Sequence, residues 1–325
     1  MKRGTTMKKA KGKKGNKAII GAVVAVILVI ISFAMNKSGT FDSMLEDAAQ
    51  TTTKNTSADV QDKTTQAASE NLLDAYFIDV GQGDCALLVS DGISMLIDSG
   101  EAEYADEVVR TVTEYGIETL DYVVATHAHS DHMGSMADVI SQIPVKNIII
   151  SEPCEDSSLT DTYEKFMDAM EDSNAQIILA EPDYTFSVGN AECTVLAPYS
   201  VDEDNENNNS VVMYITAGET SFLFTGDTEK AVEKEIMAKY PSLDIDILKV
   251  GHHGSSTSSY KKFIEQISPE TGIISCGLNN RYGHPTEKTL ETLDANNVKY
   301  YRTDICGTIS VHCTKDGYTL EAKGQ

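Results

Sequence analysis

Between Thr126 and Gly134 the chain reads Thr-His-Ala-His-Ser-Asp-His-Met-Gly, so four side chains able to bind a metal, His127, His129, Asp131 and His132, fall within six residues. The residues before them, Asp121-Tyr-Val-Val-Ala125, are β-branched and aromatic and read as a buried strand, while Met133 to Ile140 has helical apolar spacing. The cluster therefore lies on a strand-to-helix turn. On such a turn His127 and His129 project to one side and Asp131 and His132 to another. Imidazole and carboxylate groups hold a borderline cation such as zinc at about 2.0–2.2 Å, and two ligand pairs pointing apart suit two adjacent ions. The bland alternative is a polar loop that happens to carry three histidines; so dense a set of ligand-type residues argues against it.

The rest of the chain supplies partners. Six of its seven histidines, His127, His129, His132, His252, His253 and His284, lie in polar, glycine-bearing segments beside apolar runs, where site loops are expected. The seventh, His312, alternates with apolar residues in Thr308-Ile-Ser-Val-His-Cys and reads as a half-buried strand residue. Phe222-Leu-Phe-Thr-Gly-Asp227 is an apolar strand ending in a carboxylate, and Ile245-Asp-Ile-Leu-Lys-Val-Gly-His-His-Gly254 is another ending in paired histidines. Asp227 suits either a bridge between two ions or the N-cap of a helix starting near Thr228.

These segments, with Asp98 in Leu96-Ile-Asp-Ser-Gly100, resemble the metallo-β-lactamase fold of hydrolases. Within it, Phe77-Ile-Asp-Val-Gly-Gln-Gly-Asp84, Leu248-Lys-Val-Gly-His-His-Gly-Ser255, Tyr282-Gly-His-Pro285 and Tyr301-Arg-Thr-Asp304 resemble the hydrolase domain of ComEC-type competence proteins. The likeness spans roughly residues 71–325. It implies a four-layer αββα sandwich, with His127 and His129 on one metal, Asp131, His132 and His252 on the other, and Asp227 on both. Asp98 would support them from behind, as would Asp79 and Asp84. One departure stands out: most members of the wider superfamily carry a further histidine between the cluster and the bridging aspartate, and this chain has none from Met133 through Gly251. The corresponding stretch is Asp202-Glu-Asp-Asn-Glu-Asn-Asn-Asn-Ser210, which reads either as a solvated loop or as a source of an oxygen ligand from Asp204, Asn208 or Asn209. The Asn209-Ser210 pair is a candidate substrate contact. Oxygen-rich coordination makes manganese a rival to zinc.

Two divalent ions about 3.5–4 Å apart lower the pKa of a shared water and offset charge on an attacked phosphorus, which favours phosphodiester cleavage by a metal-bridged hydroxide. In that scheme His253 or His284 protonates the leaving oxygen and Arg281 clamps phosphate. Each has a plain alternative: a turn histidine, a loop histidine set by Pro285, and a surface charge.

About 255 residues follow position 70, enough for one large domain. Leu73–Val80, Cys85–Val89 and Ser94–Ile97 read as a starting meander and Glu103–Tyr115 as a helix. Strands and helices then alternate to Tyr300–Thr303, and a final strand pair, Thr308–Cys313 and Tyr318–Ala322, closes the chain. This is an α/β pattern with both hairpins and parallel crossovers. Residues 1–17 are a basic flank, and 18–35 are an uncharged apolar run of eighteen residues that just reaches across a bilayer core. The flank should stay cytoplasmic, which makes the run a single-pass signal-anchor and places the hydrolase domain, 71–325, outside the membrane. Cleavage as a signal peptide, releasing a secreted protein, is the competing reading. Residues 37–70, poor in large apolar side chains, read as a flexible tether.

Charge limits the partners. Eight of the 26 basic residues lie in the flank, leaving 18 against 50 acidic residues, so the remainder repels nucleic acid overall. A DNA substrate would need a local patch, for which Lys249, Lys261, Lys262 and Arg281 are candidates, or the metals themselves. No protein partner is evident. Six dispersed cysteines contain no Cys-x-x-Cys pair; outside the membrane they permit disulfides, although Cys85, Cys193 and Cys276 sit in apolar strand patterns that suit buried thiols. Three classes of function stay open: a phosphodiesterase or nuclease, an amide or ester hydrolase that opens a lactam or lactone, and a binding or sensing module with a degenerate site.

Overall fold

In the computed structural model of the chain, residues 71–323 are described; the expected flank, anchor and tether lie outside the described residues. Among the described residues no helix is long and apolar enough to cross a membrane. The chain runs β1 (Asn71–Phe77), β2 (Ala86–Ser90), β3 (Ile93–Ile97), α1 (Ala105–Glu114), β4 (Leu120–Ala125), α2 (Ser130–Met133), α3 (Met136–Gln142), β5 (Val145–Ile150), α4 (Asp161–Asp172) and β6 (Gln176–Leu179). It continues through β7 (Thr185–Val188), β8 (Ala191–Ala197), β9 (Val212–Ala217), β10 (Thr220–Phe224), α5 (Lys230–Lys239), β11 (Ile247–Lys249), α6 (Lys261–Ile267), β12 (Thr271–Ile274), α7 (Glu287–Ala295), β13 (Lys299–Arg302), α8 (Thr303–Cys306), β14 (Ile309–Thr314) and β15 (Gly317–Glu321).

Two sheets form. The first has the order β15-β14-β1-β2-β3-β4-β5-β6 and the second β13-β12-β11-β10-β9-β8-β7. Strand alternation explains how they pack. Leu73, Ala75 and Phe77 of β1, Leu88, Met95, Ile97, Val124 and Ile149 meet Val195, Met213, Ile215, Phe222, Phe224, Ile247 and Ile273 of the second sheet in one apolar cluster. Phe77 stacks on Phe224 across this layer, ring centres 5.5 Å apart. The alternate residues Leu87, Leu96, Val123 and Ile148 are equally buried, as are Val108 and Val112 of α1, Met136 and Val139 of α3 and Phe166 of α4. On the far face of the second sheet, Leu196, Leu223, Leu248 and Ile274 pack under Val232 and Ile236 of α5, Phe263 and Ile264 of α6 and Leu293 of α7. Each such fully buried side chain contributes roughly 1.5–3 kcal/mol. The result is a mixed α/β sandwich of two sheets with helices outside.

The starting meander and the closing hairpin follow the sequence reading. The hairpin joins the first sheet: β14 returns to pair with β1, with Asp74 opposite His312, while β13 stays in the second sheet. His312 is a partly buried strand residue whose Nδ1 lies 2.6 Å from Asp74 Oδ1. All six cysteines are buried free thiols, so the disulfides that an even count permits do not form.

Strands β3–β6 are mutually parallel, as are β10–β13. Loops leaving the carboxyl ends of β3, β4, β10, β11 and β12 therefore emerge together, and they carry Asp98, residues 126–132, Asp227, His252-His253 and the 275–285 loop.

One buried carboxylate in this frame forms no ion pair with any described residue. Glu233 on α5 accepts from Ser259 N and Tyr260 N at 2.6 and 2.9 Å, and burial, with Glu229 nearby, pushes its pKa up to about 7 against those hydrogen bonds. A raised carboxyl pKa means that the folded state holds a proton the unfolded chain has released. Stability from this group is complete below the unfolded value near 4.5 and falls by up to about 1.4 kcal/mol per pH unit until pH reaches about 7. Urea denaturation between pH 4.5 and 7 should show this slope in the wild type and its loss in Glu233→Gln; parallel pH profiles would contradict it.

Candidate metal centre

Asp84, His132, Asp227 and His253, all buried, offer ligand atoms within 4.8 Å of one another. The direction of each ring decides which atoms face inward. His132 Nδ1 lies 2.7 Å from Asp98 Oδ2, and Asp98 also accepts from Thr126 N and Thr126 Oγ1 at 2.8 and 2.7 Å. That fixes the ring and leaves Nε2 pointing at Asp227 Oδ1, 3.1 Å away. His253 repeats the arrangement: Nδ1 lies 3.1 Å from the Ser275 carbonyl and 3.3 Å from Asp84 Oδ1, so Nε2 faces Asp131 Oδ2 at 3.2 Å and Asp227 Oδ2 at 3.6 Å. Asp84 thus stands behind the rings, near the Nδ1 atoms of both His253 and His132, as Asp98 stands behind His132. Carboxylate support behind a ligating imidazole is a general feature of metal sites.

The inward atoms lack ordinary partners. His132 Nε2, Asp227 Oδ1 and His253 Nε2 are buried without a well-directed hydrogen bond. Buried polar atoms left in this state are costly, and they converge on one point. Charge points the same way. Asp84, Asp98, Asp131 and Asp227 crowd the two rings, and the lysine brought to them is Lys249, buried, with Nζ 2.7 Å from Asp84 Oδ2. Burial alone would raise the Asp227 pKa, but His132 and His253 hold it well below the usual carboxylate range. The same burial would lower both histidines; Asp227 and Asp98 instead push His132 far up, and Asp227 and Asp84 push His253 up to about 10. The excess of carboxylates around two inward-facing nitrogens is the electrostatic setting a divalent cation would neutralise. The donor set fits zinc or a harder divalent ion.

A second pair lies alongside. His127 Nε2 and His129 Nδ1 are 3.0 Å apart, close to the spacing of two nitrogens each about 2.0–2.1 Å from a shared ion. The His127 ring centre is 4.2 Å from that of His132. Burial, then the neighbouring His132, keeps His127 well below its ordinary pKa, hence neutral and able to ligate. Ser210 ties the two halves: its Oγ lies 3.3 Å from His127 Nδ1, donates to Asn207 O and accepts from Asp227 N. All of this opens onto a cavity of about 270 Å³ lined by His129, Asp131, Asn207, Asp227, His252, His253, Tyr282 and His284.

Residues 78–278, more than half of the chain, match the family model described as the Metallo-beta-lactamase superfamily. The chain belongs to this superfamily. Its relatives include ComE operon protein 3 of Bacillus subtilis, 34% identical over 255 residues that cover 71% of this chain and 32% of that protein. Competence protein ComA of Neisseria gonorrhoeae is 29% identical over 254 residues, covering 78% and 34%. Recombination protein 2 of Haemophilus influenzae is 28% identical over 249 residues, covering 75% and 29%. These are ComEC-type competence proteins, and the chain spans about a third of their length.

His127, His129, Asp131, His132 and Asp227 gather as expected from the sequence, and Asp98 sits behind His132. His253, expected as a proton donor, and His252, expected as a ligand, both bring Nε2 to 3.6 Å from Asp227 Oδ2, and His252 Nδ1 lies 3.2 Å from Thr257 Oγ1. The reason is backbone conformation. His252, His253 and Gly254 all have positive φ, 51°, 51° and 82°, a run that non-glycine residues rarely adopt, and both imidazoles that leave it reach one carboxylate oxygen. A Cβ on Gly254 would come within 2.5 Å of Pro285 Cβ, so the turn is packed against the His284-Pro285 loop.

Asp79 is not at the centre: its Oδ1 accepts from Gly81 N and its backbone N donates to Thr308 Oγ1. Asn209 commits its amide to Asp202 and Glu206. Arg281 is exposed, its guanidinium over the Tyr282 ring and Nη2 2.6 Å from the Tyr282 hydroxyl. It lines, with Gln82, Glu101, Tyr104 and Tyr282, a second cavity of about 580 Å³ that shares Gln82 and Tyr282 with the first. Lys249, a candidate for a DNA-binding patch, is unavailable for one because it is buried on Asp84. Lys261 is exposed and paired with Glu265 at 3.5 Å.

Sequence reasoning missed Glu206. Its buried carboxylate accepts from Ala128 N and Cys154 N, both at 2.8 Å, and so clamps the histidine turn to the neighbouring loop. Nothing in Asp202–Ser210 distinguishes this acid from its neighbours; a non-glycine turn rich in carboxamides directly before a strand is the one available hint.

Proposed function

We propose that this chain is a metal-dependent phosphodiesterase or nuclease, held at the membrane by residues 18–35 with its hydrolase domain on the outer side. The observation that supports the chemistry is the convergence of His132 Nε2, His253 Nε2 and Asp227, buried and unpartnered, beside the His127–His129 pair at the floor of an open cavity. Asp131, His132, His253 and Asp227 would hold one ion and His127 and His129 the other, with Asp227 between them. Bound there, the ions would lower the pKa of water and offset charge on phosphate oxygens. Asp98, Asp84 and Ser210 keep the ligand rings and Asp227 in place, and the surrounding core excludes bulk water from their backs.

His284 lines the cavity with an unpartnered, buried Nδ1; burial, then His252, lowers its pKa to about 4. It is therefore neutral at pH 7 and suits a hydrogen bond to a leaving oxygen rather than the role of a charged acid. That two relatives are named for competence and recombination favours a DNA substrate. The acidic surface favours a short or single-stranded end over a long duplex, because Glu101 and Glu103 flank Arg281 in the adjoining cavity.

The test is an assay of the metal-loaded full-length chain on a generic phosphodiester, single- and double-stranded DNA, a phosphocholine ester and a chromogenic β-lactam. Turnover of phosphodiesters, absent after chelation, is expected. Turnover of the lactam alone would replace this reading with an amide hydrolase.

A further inference from the structure

Two imidazoles and the shared Asp227 would give the ion at His127 and His129 three ligands, one short of a tetrahedral set. We propose that Asn207 Oδ1 completes the coordination of the ion held by these two histidines and biases that position toward manganese over zinc. The inference takes metal binding at the centre from the preceding reading but does not depend on the substrate.

A 3-10 helix, Glu206–Asn209, with all four side chains buried, ends at Ser210, whose Oγ lies 3.3 Å from His127 Nδ1. Three of the four are fully committed. Glu206 holds Ala128 N and Cys154 N. Asn208 donates to Asp202 Oδ2 and accepts from Glu229 N. Asn209 binds Asp202 N, Asp202 O and Glu206. Asn207 alone lines the same cavity as His129 and Asp227, and its Oδ1 is buried without a partner. The amide orientation is set chemically: Nδ2 lies 3.5 Å from Glu229 Oε1, which only accepts, so the oxygen takes the other branch. Asn207 is also held at the site, because its carbonyl accepts from Ser210 Oγ, the atom that touches His127 Nδ1 and accepts from Asp227 N.

A neutral amide oxygen is a harder donor than the imidazole that zinc sites commonly add. Two imidazoles, a shared carboxylate and an amide oxygen make a set that suits manganese better than an all-nitrogen one does. The oxygen donors expected from sequence in this stretch, Asp204, Asn208 and Asn209, are replaced in this account by their neighbour.

Equilibrium dialysis of the chelator-stripped full-length chain against manganese and zinc separately, with bound metal counted, tests it. Wild type should take two manganese ions. Asn207→Ala should weaken the second by at least about tenfold and leave the first unchanged, a loss of the size seen when even supporting groups are removed. Asn207→Asp should keep both ions, and Asn207→His should shift the second position toward zinc. A folded Asn207→Ala chain binding two manganese ions as wild type does would overturn the proposal, as would wild type that takes only one. If the alanine variant loses its circular-dichroism signal, an unchanged manganese-to-zinc ratio in both other variants overturns it instead. A wild type that binds two ions with the expected Asn207 dependence yet cleaves no phosphodiester would remove the substrate reading and support this one.

Discussion

Replacing Asp227 with alanine is expected to abolish occupancy of the metal pair and to reduce hydrolysis by more than the roughly 10–100-fold that losing a supporting partner behind a ligand costs. Asp227 is the carboxylate that reaches both inward rings, with Oδ1 3.1 Å from His132 Nε2 and Oδ2 3.6 Å from His253 Nε2. Without it the centre has no anion between the two ligand groups. Asp227→Asn keeps the side-chain volume and one oxygen but not the charge, so it separates loss of ligation from a packing defect. Bound metal per chain and turnover should fall together in both variants. Turnover that survives in Asp227→Ala with metal still bound would mean that the bridge is misassigned.

Lys249→Met is expected to produce the largest loss of stability of any single change near the centre, roughly 3–5 kcal/mol, the usual result of removing one partner from a buried ion pair. Lys249 and Asp84 are both almost fully enclosed, and Nζ also donates to the Val250 carbonyl. Burial alone would raise the Asp84 pKa; Lys249 first, then His253, holds it well below the usual range, so the variant would leave a buried carboxylate to be neutralised some other way. Urea unfolding of the metal-free chain reads the effect directly. Removing both partners in Lys249→Met with Asp84→Leu should recover much of the loss, since an apolar pair of similar volume does not carry the desolvation cost. A wild-type midpoint in the single variant would show that the pair contributes little.

What could be read from the sequence and what could not divides along physical lines. The turn at His127–His132, Asp227 after its strand and the paired histidines after β11 were legible because ligand-type side chains at strand ends are unusual in any other role. The meander β1–β3 and the closing hairpin were legible from two-residue alternation. That both histidines of the pair reach Asp227 was not, because it depends on consecutive positive φ angles that the letters do not announce. Lys249 looked like surface charge, since burial of a lysine depends on Asp84, 165 positions earlier in the chain, arriving beside it. Asn207, Asn208 and Asn209 are chemically identical in a string, and only the packed turn shows which oxygen is left over. Asp79 and Asp84 share one short segment, yet one closes a local turn at Gly81 and the other stands behind a ligand. The Gly83 position shows why: a Cβ there would fall 2.4 Å from the Asp131 carbonyl, so this part of the loop lies tight against the metal turn.

The central claim is that imidazoles and carboxylates from separate strand ends surround a pair of cations. Anomalous diffraction at the manganese and zinc absorption edges, from crystals of the metal-loaded chain, tests it most directly. The account predicts two peaks, one about 2.0–2.2 Å from His132 Nε2, His253 Nε2 and an oxygen of Asp227, the other at the same range from His127 and His129. A peak on the far side of the rings, coordinated through Nδ1 with Asp84, or no peak within reach of Asp227, would contradict it.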